Sequence, residues 1–90
     1  MQVEMSIQGL RVDPSANTPI VILQEREGQR VLPISVSIFE ANSIALQVAN
    51  ISTPRPMTHD LLRNVIRDLK ADMQKVVVSD LKENTFYAAI

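Results

Sequence analysis

The chain has 90 residues, 46% of them hydrophobic and 21% charged, with a formal net charge of −1. No cysteine and a single histidine, His59, exclude disulfides, thiolate zinc, iron–sulfur ligation, cysteine nucleophiles and paired-histidine metal motifs. The near-zero charge argues against a protein that holds nucleic acid by bulk positive charge.

A compact chain of this mass removes roughly 64% of its extended surface from water, which permits one thin core. Phe39, Phe86 and Tyr87 are the whole aromatic set, so that core must be aliphatic. No apolar run approaches a membrane span, and the first residues lack a basic start followed by an apolar block. The sequence therefore reads as a soluble, cytoplasmic chain.

Val3 to Val12 alternate in polarity, the pattern of a half-buried strand, and the parity changes at Gly9 as a bulge there would produce. Asp13 to Asn17 is a turn cluster. Pro19 to Gln24 holds four consecutive aliphatics, which suits a strand covered on both faces. Glu25 to Gln29 forms a charged tip, with Gly28 expected to supply a positive φ. Arg30 to Val36 returns as the partner strand, and its Pro33 requires an edge or a bulge.

Ser37-Ile38-Phe39-Glu40 reads as a capping box opening a helix to about Asn50. That helix is apolar nearly all round, with Ala41, Ala45 and Ala49 in one strip, so it belongs in the core or in a subunit interface. The two prolines of residues 51–57 forbid helix there. Thr58 is expected to cap a second helix, with Asp60 in its first turn and paired to Arg63. Leu61, Leu62, Val65, Ile66, Leu69 and Met73 then fall within about 140° of its wheel. Lys75 to Leu81 and Thr85 to Ile90 are strands around a turn at 82–84. The order β-β-β-α-α-β-β predicts an α+β fold: a mixed sheet with two helices packed on it.

The chemistry-bearing residues each have two readings. Glu40, the only charged residue from Val31 to Pro54, is either the capping-box acid or a carboxylate serving as metal ligand or general base. His59 is either part of an ordinary helix start with Asp60 or an acid/base group at a natural anion site. Arg55, between two prolines, suits a phosphate clamp. Arg55 to Lys75 carries five cations against three anions, a modest basic surplus that a solvated helix face also explains. Glu40, Asp60 and Asp80 lie near element ends and would have to converge to hold Mg²⁺ or Mn²⁺.

Three stretches taken together resemble one known family. They are Arg30-Val31-Leu32-Pro33-Ile34 leading to Phe39-Glu40-Ala41, Pro54-Arg55-Pro56-Met57-Thr58-His59-Asp60-Leu61-Leu62, and Val76-Val77-Val78-Ser79-Asp80-Leu81 with Thr85-Phe86-Tyr87-Ala88. The chain resembles the bifunctional nuclease (BFN) domain family over essentially its whole length. The resemblance implies an α+β fold with a mixed sheet, self-association, and hydrolysis of DNA and RNA. By our reading of the residues the dimer forms through the helix at 38–49 or a sheet edge, and Mg²⁺ or Mn²⁺ is the candidate cofactor. The resemblance supplies no settled catalytic residues.

By their places on the motifs we assign His59, Asp60 and Glu40 as catalytic candidates, Arg55 as phosphate contact, and Glu40, Asp60 and Asp80 as metal carboxylates. The resemblance also implies a further segment after the last strand, so residues 1–90 read as one BFN-like domain incomplete at its C-terminal side. The second hypothesis is a non-catalytic module that self-associates or binds a partner through the alanine-striped helix.

Overall fold

A computed structural model describes residues 1–15 and 17–90; Ala16, and with it the middle of the expected turn at 13–17, lies outside the described residues. The elements follow the expected order: β1 (Met5–Asp13), β2 (Thr18–Glu25), β3 (Val31–Ser35), α1 (Ile38–Val48), α2 (Thr58–Asp68), β4 (Val77–Lys82) and β5 (Thr85–Ala89). They fall into two compact units, residues 1–52 and 53–90.

The strands do not form the single mixed sheet that the sequence suggests. β1, β2 and β3 make one three-stranded sheet in that order, and β4 with β5 makes a separate two-stranded one. Every pairing is antiparallel. The physical reason is locality: each strand pairs with its neighbour along the chain through a short turn. A parallel pairing would need a long crossover, and the two helices do not serve as one here.

In the first unit, β1 and β2 pair from Met5↔Glu25 to Asp13↔Thr18, with the register shifting between Ile7 and Gly9. The expected bulge is therefore present, with Gln8 as its extra residue. β2 is the central strand and buries Pro19 and Val21. β3 is an edge strand, which is where Pro33 can be accommodated, opposite Ile22.

Gly28 does not take the positive φ expected of it. It gives space instead, because a Cβ at this position would approach the Glu25 carboxylate to 2.3 Å. That carboxylate receives Arg30 in a bidentate fork, Nη2 donating to Oε1 at 2.9 Å and Nε to Oε2 at 3.1 Å. The charged tip thus closes on its own ion pair.

α1 opens on the expected capping box. Glu40 N donates to Ser37 Oγ at 3.3 Å, and Ser37 N donates to Glu40 Oε2 at 3.0 Å. It closes on Asn50 at φ 55, with Ile51 N donating to the Leu46 carbonyl and Asn50 N to that of Gln47, a Schellman ending. The helix lies against β2, and Ala41 is its one buried residue. Within the chain α1 is therefore not central: Phe39 remains 78% exposed.

In the second unit, α2 carries the expected apolar stripe but buries none of it. Leu69 is 75% exposed, and Leu61, Leu62 and Val65 are exposed with it. α2 ends like α1, with Lys70 at φ 59 donating to the Arg67 carbonyl at 2.8 Å and Ala71 N donating to that of Ile66. β4 and β5 pair from Val77↔Ala89 to Lys82↔Thr85, with a register shift between Val78 and Asp80. Their turn has Glu83 at φ 52 and Asn84 at φ 62, the two positive values of a type I′ hairpin.

Candidate functional site

Residues 53–60 bring the candidate residues closest together. Two prolines bracket Arg55, so the chain cannot start its helix before Met57. The Thr53 hydroxyl donates to the Arg55 carbonyl and ties the loop to itself. Met57 is the N-cap, at φ −78 and ψ 170, and the Leu61 amide donates to its carbonyl at 2.9 Å. Thr58, expected to be the cap, is instead the first helical residue. Asp60 supplies the missing function from the third helical position: its Oδ2 accepts from the Met57 amide at 3.0 Å.

The other oxygen of Asp60 faces the histidine. His59 Nε2 stands 3.5 Å from Asp60 Oδ1, with the two side chains 40% and 35% exposed. Sequence neighbours on a helix point about 100° apart, a geometry that favours Arg63 as the partner of Asp60. At the first turn the carboxylate swings back toward the cap, and this carries it to the imidazole. Among the described residues no ion pair joins Asp60 to Arg63. His59 Nδ1 likewise has no protein partner among the described residues. Arg55 is exposed and unpaired among them as well.

The remaining acids stand elsewhere. Glu40 heads α1 in the first unit, with Oε2 engaged by the Ser37 amide. Asp80 lies in β4, where Oδ1 accepts from Leu81 N at 2.8 Å and Oδ2 is 3.5 Å from Lys82 Nζ. Lys82 also sits 5.6 Å from the centre of the Tyr87 ring. Among the described residues no group of three or more His, Asp or Glu could hold a metal ion. The donor set these residues present does not fit a Mg²⁺ or Mn²⁺ centre, which needs several oxygen ligands on one ion.

The sequence reading missed two features of this region. One is the dual engagement of Asp60, legible as an acid at the third helical position behind a residue that cannot cap. The other is that His59, four residues before Arg63, stands on the same ridge of α2 as the polar-face cations Arg63 and Arg67.

Comparison with known proteins agrees with these motifs. The bifunctional nuclease domain family matches residues 21–90, which takes in both units, and the chain belongs to that family. It is also 42% identical over 85 residues to two uncharacterised proteins of Mycobacterium tuberculosis, one from each of two strains. The matched region is 94% of this chain and 52% of each relative, so the chain spans about half the length of the curated relatives it matches. Among the described residues no helix is long and apolar enough to cross a membrane.

Proposed function

We propose that the chain carries a phosphodiester-hydrolysing site for DNA and RNA, centred on the loop 53–57 and the first turn of α2. The observation that carries this reading is Asp60, whose carboxylate holds the Met57 amide at 3.0 Å and the His59 imidazole at 3.5 Å. A carboxylate beside one ring nitrogen orients the imidazole and leaves the other nitrogen for the substrate. His59 is then the acid/base group: it takes a proton from the attacking water or gives one to the leaving ester oxygen at Nδ1. Arg55 neutralises the phosphate with a planar, bidentate donor set. Asp60 acts through His59 and the helix start, as a positioning residue.

No step is routed through a metal, and substitution of Glu40 and Asp80 tests whether either acid contributes to cleavage. A cytoplasmic location belongs to the same proposal and is tested by cell fractionation.

The deciding experiment measures cleavage of single-stranded DNA and RNA by this chain and by a full-length relative, with and without Mg²⁺ or Mn²⁺. His59→Ala is expected to cost about 10²–10⁴-fold in rate, the usual weight of an acid/base group. Inactivity of the full-length relative ends the nuclease reading. Undiminished cleavage by His59→Ala and Asp60→Ala ends only this assignment of the site.

A second reading is a self-associating module, favoured by the exposed Ile38, Phe39 and Val48 of α1 and the open edge at β3. In this reading two copies meet through α1 or a sheet edge.

A further inference from the structure

The polar face of α2 has an order that an ordinary solvated face does not require. On a helix of 100° per residue, His59, Arg63 and Arg67 fall within about 80° of one another and climb in steps of about 6 Å. Lys70 follows directly after the helix cap, its amide bonded to the Arg67 carbonyl at 2.8 Å. All four residues are exposed, and among the described residues no ion pair engages Arg63, Arg67 or Lys70. The acids nearest in sequence are Asp60, taken up by His59 and the Met57 amide, Asp68, about 100° round the helix from Arg67, and Asp72, which accepts from Gln74 Nε2 at 3.1 Å. Lys70 sits at φ 59, the left-handed position that glycine fills at least cost.

We infer that Arg63, Arg67 and Lys70 form a track for the backbone of a single-stranded nucleic acid, leading its phosphates along α2 toward His59. The occupant follows from the chemistry. Evenly stepped, unpaired cations on one ridge match a chain of regularly spaced monoanions better than a lone phosphate, which would need convergent donors. None of the three aromatic residues lies on α2, so contact along this helix is to the backbone and indifferent to sequence. This deepens the nuclease reading and rests on it for the direction of the track, while binding itself can be tested apart from cleavage.

The test is fluorescence anisotropy of a labelled twelve-nucleotide single-stranded DNA with the 90-residue chain over a range of salt. Three phosphate contacts on a single strand predict a slope of about −2 in log affinity against log salt, or roughly a 20-fold loss between 50 and 200 mM. Arg63→Gln with Arg67→Gln is expected to reduce that slope to about −0.7. Lys70→Gly is the stringent variant: it should weaken binding while raising the melting temperature, so a lost contact cannot be blamed on unfolding.

Absence of binding, or a slope unchanged in both variants, overturns the track. Equal binding to phosphatidylserine vesicles with no binding to the oligonucleotide also overturns it and points to a membrane surface instead. Binding that depends on the ridge without any cleavage by the full-length relative upholds the track and defeats the nuclease reading. Cleavage indifferent to Arg63 and Arg67 does the reverse.

Discussion

At the scale of single residues, charged side chains in this chain mostly close local structure. Glu25 shows how. Its carboxylate is held below the ordinary 4.5, first by the side-chain hydrogen bonds from Arg30, and the Arg30 guanidinium is correspondingly raised above its own ordinary value. Because the folded value is the lower one, the pair contributes stability above pH about 4.5 that disappears as the pH falls through the depressed value. The β2–β3 hairpin is therefore expected to lose part of its stability on acidification below pH 4.5, and Glu25→Gln to remove that part of the dependence. Melting temperatures between pH 7 and 3 check this, and parallel curves for the two proteins would refute it. Gly28→Ala should act on the same pair, since the new methyl displaces the carboxylate from the place where Arg30 grips it. Its melting curve should then resemble that of Glu25→Gln, whereas an ordinary helix- or strand-propensity effect would leave the acid dependence intact.

At the scale of elements, the turn of the β4–β5 hairpin suits its sequence poorly. Glu83 and Asn84 both adopt positive φ, and only Asn tolerates that readily. Glu83→Gly is expected to stabilise the β4–β5 ribbon by about 1 kcal/mol, read as a rise in urea midpoint with an unchanged slope. A fall in midpoint would mean that the Glu83 side chain does something the backbone geometry does not reveal. The same comparison shows what the sequence disclosed. Periodicity and turn chemistry located all seven elements, since alternation, the capping box at Ser37 and Glu40, and the prolines at 54 and 56 act within a few residues. Pro33 correctly marked an edge strand. The division into two separate antiparallel sheets was not legible, because whether distant strands pair leaves no local mark, and the expectation of one mixed sheet was wrong. The candidate site was half legible: Arg55, His59 and Asp60 stood out as a motif, but the contact between His59 and Asp60 depends on a cap at Met57. Neighbour geometry on an ideal helix hides that contact.

At the scale of the whole molecule, the governing fact is how little apolar surface the chain covers by itself. Among the described residues only Pro19, Val21 and Ala41 are buried, and 7720 Å² stays accessible to water. Two separate compact bodies of 52 and 38 residues would expose only about 6,300 Å² together by the usual area scaling, leaving roughly 1,400 Å² in excess. A standard protein interface takes about 800 Å² from each partner, so the excess is enough for one. The self-associating reading therefore predicts that sedimentation finds a species of twice the 10.0 kDa chain mass at micromolar concentration. Phe39, 78% exposed on α1, is the residue best suited to anchor such an interface, because aromatic side chains bury much area at small entropic cost. Phe39→Ser removes no contact that the folded chain depends on, so it should leave the melting of a dilute monomer nearly unchanged. It should weaken the dimer by about 2 kcal/mol or more, roughly 30-fold in dissociation constant. A dimer indifferent to Phe39 would move the contact from α1 to a sheet edge, where Val31→Lys on the exposed side of β3 becomes the variant that breaks it. A clean monomer at millimolar concentration would leave the apolar surface to a partner other than a second copy, and the self-association reading would fall.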